Sequence, residues 1–212
     1  MRVFVDNDIA VKLAKWGLLQ RFALYLNKQG GAELHCLDTL RYKFKLNQPG
    51  AAAALLGSPQ AAKQLTDFAN GCKPAKLHNA AVAAALTDIP NVDAGEAALF
   101  AAAAYFDAVL LDTGDKKALR ALGALGPNHV AAKALLEKVC CLEQTVHHLV
   151  GRWTYAQVHG AVVAVPNADT ATHACFNGKN EAQALAALHG KIEELRPQCA
   201  GTLAATPFDW VS

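Results

Sequence analysis

The chain has 212 residues, 18% charged side chains and a formal net charge of +2. This length is enough for one large or two small domains, and so small a net charge argues neither for nor against a nucleic-acid partner. Ordinary glycine and proline contents, moderate charge and long periodic segments exclude collagenous, disordered and disulfide-scaffold proteins. The most apolar stretch, residues 97–111, contains Asp107 and is too short for a transmembrane span.

Alanine accounts for much of the apolar composition. Hydrophobic residues make up 53% of the chain, but 44 of the 212 residues are alanine, which favours helices and buries little area. The six cysteines form no C-x-x-C pair and have no zinc-type spacing with the histidines. The N-terminus lacks the apolar segment of a signal peptide. We therefore expect a reduced cytoplasmic protein with buried thiols and no membrane association.

The first part of the chain alternates short apolar runs with helical patterns. Residues 3–5 and 33–37 predict two strands, and apolar residues recur every three or four positions over 9–26, which predicts a helix. A short helix is expected to begin at Asp38 and to run to Phe44. Alanine-rich helical segments follow.

The middle of the chain repeats this alternation. Residues 96–105 predict a helix, residues 108–111 a third buried strand, and residues 116–122 another helix. The run 139–142 fits a further strand, although one continuous helix over 130–149 also fits the pattern.

The last third shows weaker patterns, with a strand expected at 161–165 and a helix at 181–195. Alternation of strands and helices predicts an α/β fold, a three-layer α/β/α sandwich around a mainly parallel sheet. We predict an α/β domain over 1–145 and a partly helical C-terminal extension over 146–212 that packs on its core.

Acidic residues are placed unevenly along the chain. Six of the 18 acids fall between residues 88 and 115, and two more follow the first strand. In a parallel sheet the carboxyl ends of the strands share one edge, which is where ligands bind. Five acidic side chains are expected to converge at that edge: Asp6, Asp8, Glu96, Asp112 and Asp115.

Several carboxylates held close together repel one another unless they are protonated or neutralised by a cation. Hard oxygen ligands suit Mg²⁺ or Mn²⁺. Such ions activate water and neutralise charge on a phosphoryl group. The sequence therefore predicts a magnesium or manganese site that supports phosphoryl chemistry.

Helix capping is the structural alternative for each of these acids. Asp6 or Asp8 can cap the first helix, Asp93 and Glu96 can form a capping box, and Asp115 can cap the helix that follows it. Two strand ends that each carry a pair of acids favour the metal site over caps alone.

Three segments resemble the PIN-domain family of metal-dependent nucleases. They are VFVDNDI at 3–9, DAGEA at 93–97 and LLDTGDK at 110–116, which follow the family's order within residues 1–145. The resemblance implies a sheet of strand order 3-2-1-4-5 and cleavage of single-stranded RNA with a 5′-phosphate product. It also implies Mg²⁺ or Mn²⁺ at the acidic cluster.

Residues in the matched segments take the family's functional positions. The resemblance implies the following roles: Asp6, Glu96 and Asp115 as catalytic residues and primary metal ligands, Asp8 and Asp112 as further ligands, and Asp93 and Thr113 as supporting residues. The chain departs from the family at the helix after the second strand. The family's acid there is absent, and the only nearby carboxylate is that of Asp38.

Basic residues flank the predicted acidic edge. Cations interleave with Tyr42 and Phe44 in the helix after the second strand, a pattern that suits phosphate contact and base stacking. An amphipathic helix with solvated cations is the alternative. The expected substrate-binding residues are Lys12, Arg41, Lys43 and Lys116.

The expected partner is single-stranded RNA. The resemblance further implies an antitoxin or other protein partner and a homodimer. Two other functions stay open. The pair of Asp6 and Asp8 after an apolar strand also resembles phosphatases of the haloacid-dehalogenase type, in which the first acid is the nucleophile. The second of these functions is that of a PIN-like module that binds RNA or protein without cleaving RNA.

Overall fold

The structure is a computed structural model that describes residues 1–211. Within these residues thirteen α-helices surround one five-stranded sheet in which every neighbouring pair is parallel. The strands are β1 (Arg2–Val5), β2 (Glu33–Cys36), β3 (Lys73–Pro74), β4 (Val109–Thr113) and β5 (Val139–Cys141). Their order in the sheet is β3-β2-β1-β4-β5, as expected from the sequence.

The helices divide into those that precede β4 and those that follow it. The first group is α1 (Asn7–Lys15), α2 (Leu19–Lys28), α3 (Thr39–Lys43), α4 (Pro49–Leu56), α5 (Pro59–Gly71), α6 (Ala80–Leu86) and α7 (Ala94–Ala103). The second group is α8 (Lys116–Ala124), α9 (Val130–Ala134), α10 (Leu142–Arg152), α11 (Tyr155–Ala164), α12 (Thr170–Phe176) and α13 (Glu181–Leu195). Short 3₁₀ helices lie at Pro166–Ala168 and Arg196–Cys199.

The sheet separates two hydrophobic clusters, because successive side chains of a strand point to opposite faces. Val3 and Val5 pack into one cluster, which draws on α1, α2, α4, α5 and α10–α13. Phe4 lies between them in the chain and packs into the other cluster, which is built largely from α6–α9. The predicted three-layer α/β/α sandwich is therefore confirmed.

The helical pattern over residues 9–26 corresponds to two helices rather than one. The chain leaves α1 at Trp16 and begins α2 at Leu19. Between them Gly17 has a φ of +73°, in the left-handed region that glycine occupies without a steric cost. The apolar periodicity continues across this break because both helices bury their faces in the same cluster.

Two of the less regular segments differ from expectation. The predicted strand at 161–165 is wrong, because this segment lies mostly in α11, whose Val158 and Val162 are buried one turn apart. The strand β3 was not predicted, since its two exposed residues carry no apolar signal. The alternatives for residues 130–149 resolve into α9, β5 and α10, so the continuous helix is excluded.

The C-terminal helices complete the core rather than forming a separate body. The predicted boundary at residue 145 falls within α10, whose Val146 and Leu149 belong to the same cluster as Val3 and Val5 of β1. At the other face, Ile192 and Leu195 of α13 join the second cluster. Among residues 1–211 no helix has the length and apolar character needed to cross a membrane.

Candidate acidic site at the carboxyl edge of the sheet

The carboxyl ends of β1 and β4 lie side by side. Val5 pairs with Asp112 in register, and the backbone N–H of Asp6 donates to the Asp112 carbonyl at 2.9 Å. A cavity of about 400 Å³ opens at this edge. The acids that line it are Asp6, Asp8, Asp93, Glu96 and Asp115.

Asp6 is the most buried of these acids, with 7% of its surface exposed. It precedes α1 but makes no side-chain capping bond, so capping does not explain this residue. Its Oδ2 accepts a hydrogen bond from the Thr113 hydroxyl at 3.0 Å. Burial raises the pKa of Asp6 to about 6, and the carboxylates of Asp8 and Asp115 add to the rise, while the bond from Thr113 opposes it.

Glu96 and Asp115 serve as caps and also line the cavity. Asp93 and Glu96 form the predicted capping box at the start of α7, in which each side chain accepts from the other's backbone N–H at 2.7–2.8 Å. Oδ1 of Asp115 accepts from the backbone N–H of Lys117 at 2.7 Å. Burial raises the pKa of Glu96 to about 8, and the carboxylates of Asp115 and Asp93 contribute to this increase. Capping and membership of the cavity are thus compatible.

Asp8 lines the cavity beside Asp6 and is paired with a cation. Its Oδ2 lies 2.6 Å from Nζ of Lys12, one helical turn further on in α1. The same oxygen packs closely against Gly114 in the turn after β4. Asp8 therefore contributes a carboxylate whose charge is partly compensated.

Asp112 lies apart from the cavity. Its side chain is fully buried on the face of β4 that packs against α10, where the Thr145 hydroxyl donates to it at 2.9 Å. Burial raises the pKa of Asp112 to about 8. This placement corrects the expectation that all five acids converge, because alternation along β4 directs this carboxyl into the core instead.

The expected substrate-binding cations have different surroundings. Lys43 lines the cavity together with Phe44, whose ring centroid is 6.0 Å from the lysine Nζ. Arg41 instead reaches α5, where it donates to Oδ1 of Asn70 at 2.6 Å and to the carbonyl of Ala69. Of the cationic and aromatic side chains on and next to α3, those of Lys43 and Phe44 line the cavity.

Lys12 and Lys116 are occupied by carboxylates from the C-terminal helices. Lys12 lies 2.8 Å from Oδ2 of Asp169, and Lys116 pairs with Glu143. Glu143 directly follows the β5–α10 junction and is almost completely buried, with one oxygen left without a hydrogen-bond partner among residues 1–211. The strand-end argument used for Asp6 would have found Glu143, whereas no sequence signal connects Asp169 to this edge.

The carboxylates that line the cavity are chemically suited to bind a hard divalent cation. As the side chains stand, residues 1–211 contain no group of three His, Cys, Asp or Glu side chains close enough to hold a metal ion. The cavity nevertheless collects carboxylate oxygens, the ligands that Mg²⁺ and Mn²⁺ prefer. Burial, together with neighbouring carboxylates, raises the pKa values of Asp6 and Glu96, so their ionised forms are unfavourable without a counter-charge, which a bound cation would supply.

Comparisons of the chain with protein-family models, curated proteins and solved structures find no match. Any function is therefore inferred from the cavity and the residues around it.

Proposed function

We propose that this protein is a PIN-type endoribonuclease that depends on Mg²⁺ or Mn²⁺ and cleaves single-stranded RNA. The observation that supports this most directly is the shared cavity of Asp6, Asp8, Glu96 and Asp115 at the carboxyl edge of β1 and β4. The strand order β3-β2-β1-β4-β5 agrees with the order that the sequence resemblance implies.

Asp6, Glu96 and Asp115 are the residues proposed to hold the cation, with Asp8 beside them. A bound Mg²⁺ or Mn²⁺ supplies charge neutralisation on the phosphoryl oxygens and lowers the pKa of the attacking water. In the proposed reaction a water oxygen forms a bond to phosphorus and the bond from phosphorus to the 3′ oxygen breaks. The water proton passes to a carboxylate of the cavity, and the resulting carboxyl group gives a proton to the departing 3′ oxygen, so the products carry a 5′-phosphate and a 3′-hydroxyl.

The rim formed by Lys43 and Phe44 supports a nucleic-acid substrate. A lysine ammonium offers a contact to a backbone phosphate, and an aromatic ring offers a stacking surface for an unpaired base. Both residues line the same cavity as the acids. This combination favours a single-stranded polynucleotide over a small phosphate ester.

The phosphatase alternative fits the surroundings of the first two acids less well. In that mechanism Asp6 attacks phosphorus and the second acid of the pair transfers protons, but Asp8 is held in an ion pair with Lys12. Glu96, which lines the cavity, has no role in it. A phosphatase would release phosphate from a generic phosphomonoester and be trapped by beryllium fluoride, which a nuclease would not.

Substitution of the cavity acids tests the nuclease. Asp6→Asn and Asp115→Asn each remove one charge while keeping side-chain size, and Asn at position 115 still caps α8. We expect each variant to lose at least about 100-fold in Mn²⁺-dependent cleavage of a single-stranded RNA oligonucleotide, because charge stabilisation of the transition state is lost.

Asp67→Asn is the matched control, since Asp67 lies on the solvent-exposed face of α5, outside the cavity, and pairs with Lys63. This variant should cleave at the wild-type rate, and all three variants should keep the wild-type circular dichroism spectrum. Cleavage at the wild-type rate by both Asp6→Asn and Asp115→Asn would contradict the proposal that these acids form the catalytic site. Retained RNA binding without any cleavage by the wild-type protein would support the non-catalytic module.

A further inference from the structure

A cluster of three charged residues connects the C-terminal helices to the acidic cavity. Nζ of Lys12 lies 2.6 Å from Oδ2 of Asp8 and 2.8 Å from Oδ2 of Asp169. The side chains of Lys12 and Asp169 are 14% and 15% exposed, so their attraction acts in a partly desolvated setting. Asp8 is more exposed and lines the cavity. Lys12 is thus shared between a cavity acid and an acid from outside the cavity.

The two carboxylate oxygens of Asp169 make separate contacts, one with its own helix and one with Lys12. Asp169 is the N-cap of α12, where its Oδ1 accepts a hydrogen bond from the backbone N–H of Thr172 at 2.8 Å. Its other oxygen, Oδ2, contacts Lys12. Burial alone would raise the pKa of Asp169, but the bonds from Lys12 and Thr172 outweigh it and lower the pKa below its ordinary value. Asp169 is therefore ionised at neutral pH.

Gly114 places this cluster against the turn that carries Asp115. A Cβ atom at Gly114 would lie 2.2 Å from Oδ2 of Asp8 and 3.3 Å from Nζ of Lys12. Only a residue without a side chain allows the Asp8–Lys12 pair to approach the turn this closely. The pair and the cavity acid Asp115 are therefore packed around the same short segment.

We infer that Asp169 is a positioning residue for the cavity: by sharing Lys12 with Asp8, it leaves part of the Asp8 charge available to a divalent cation. Two carboxylates and one ammonium leave one net negative charge on the cluster. Without the charge of Asp169, Lys12 would neutralise Asp8 completely. This inference rests on the proposed function, because it concerns the affinity of the same cavity for Mg²⁺ or Mn²⁺.

The test measures Mn²⁺ binding to the full chain by electron paramagnetic resonance at neutral pH, without any substrate. Asp169→Asn and Asp169→Ser both keep an N-cap acceptor for α12 and remove the charge. We expect each to weaken Mn²⁺ binding about tenfold, as loss of a residue behind a metal ligand commonly does. Lys12→Met should strengthen Mn²⁺ binding, since it frees the Asp8 carboxylate.

The pathway through Lys12 is tested by combining the substitutions. If Asp169 acts by sharing Lys12, Asp169→Asn should have little further effect in the Lys12→Met background, so the two changes are non-additive. Equal effects of Asp169→Asn in both backgrounds would overturn the inference.

Asn180→Ala is the control for loosening of the C-terminal helices. Asn180 caps α13 by accepting from the Gln183 backbone N–H at 3.0 Å and does not line the cavity. Mn²⁺ binding by this variant should match that of the wild type, and weakening comparable to that of Asp169→Ser would overturn the inference.

Asp6→Asn distinguishes failure of the inference from failure of the proposed function. Wild-type Mn²⁺ binding that Asp6→Asn abolishes and Asp169→Asn leaves unchanged overturns the inference alone. Absence of saturable Mn²⁺ binding by the wild type overturns the proposed cation site and the inference with it.

Discussion

At the scale of single residues, two acids that follow similar apolar runs in the sequence lie in different surroundings in the structure. Asp6 and Asp112 both follow an apolar run directly in the sequence, yet Asp6 lines the cavity and Asp112 lies in the core. The difference arises from the position of each residue in the alternation of its strand, because Asp112 is still part of β4 and Asp6 already follows β1. The apolar runs predict both strand ends to within one or two residues, which is not precise enough to decide which side chain leaves the sheet.

Asp112→Asn tests the buried position of Asp112. The pKa of Asp112 rises from 3.8 to about 8 on folding, so its contribution to stability is fully present below pH 3.8 and is lost as the pH rises through 8. Asparagine cannot ionise, so the variant does not lose this stability as the pH rises. Between pH 3.8 and 8, the free energy of unfolding of the wild type should therefore fall relative to that of the variant by up to about 1.4 kcal/mol per pH unit. Urea titrations at several pH values measure the free energy of unfolding of both proteins. Parallel plots of this free energy against pH would contradict the raised pKa of buried Asp112.

At the scale of elements, local sequence patterns predicted the helices correctly where one face of the helix is buried and a capping residue precedes it. The capping box of Asp93 and Glu96 and the cap by Asp115 begin α7 and α8 at the expected places. The β-branched run of α11 was mistaken for a strand, because valines favour strands and the two buried positions are too few to establish a helical period. The break between α1 and α2 was concealed by continuous apolar periodicity.

Gly160→Ala tests the assignment of α11 as a helix. An added Cβ at Gly160 meets no atom within 4 Å, so the change should stabilise the protein by about 0.5–1 kcal/mol through helix propensity. Gly178→Ala is the matched control, because Gly178 has equal space but a φ of +68°, and it should destabilise the protein instead. Equal effects of both substitutions on the urea midpoint would contradict a helical conformation at Gly160.

At the scale of the whole molecule, the C-terminal helices are part of both core clusters and of the ion network around the cavity. The 3₁₀ helix at Arg196–Cys199 packs closely on Gly123 of α8, where a Cβ would lie 1.8 Å from the carbonyl oxygen of Gln198. Asp169 and Glu143 bring two further carboxylates to the cations near the carboxyl edge. The extension therefore contributes to the stability of the fold and to the electrostatics of the candidate site.

Gly123→Ala tests how tightly the extension is packed. The atoms in its way belong to the backbone of Gln198 and Cys199, which cannot yield as a flexible side chain can. We expect a loss of about 3 kcal/mol in the free energy of unfolding, the upper part of the range for overpacked cores. Gly151→Ala in α10 meets open space and should cause no such loss. A change of less than about 0.5 kcal/mol at Gly123 would contradict the close contact.

The sequence by itself determined the fold class, three of the five strands without ambiguity, and a group of candidate acids near the carboxyl edge of β1 and β4, because these depend on local periodicity and on the shared direction of parallel strands. The tertiary structure decided which of those acids line the cavity, which cations are free to meet a ligand and how Asp169 reaches Lys12. These contacts join elements far apart in the chain, so they depend on helix packing and side-chain direction, which no local pattern encodes.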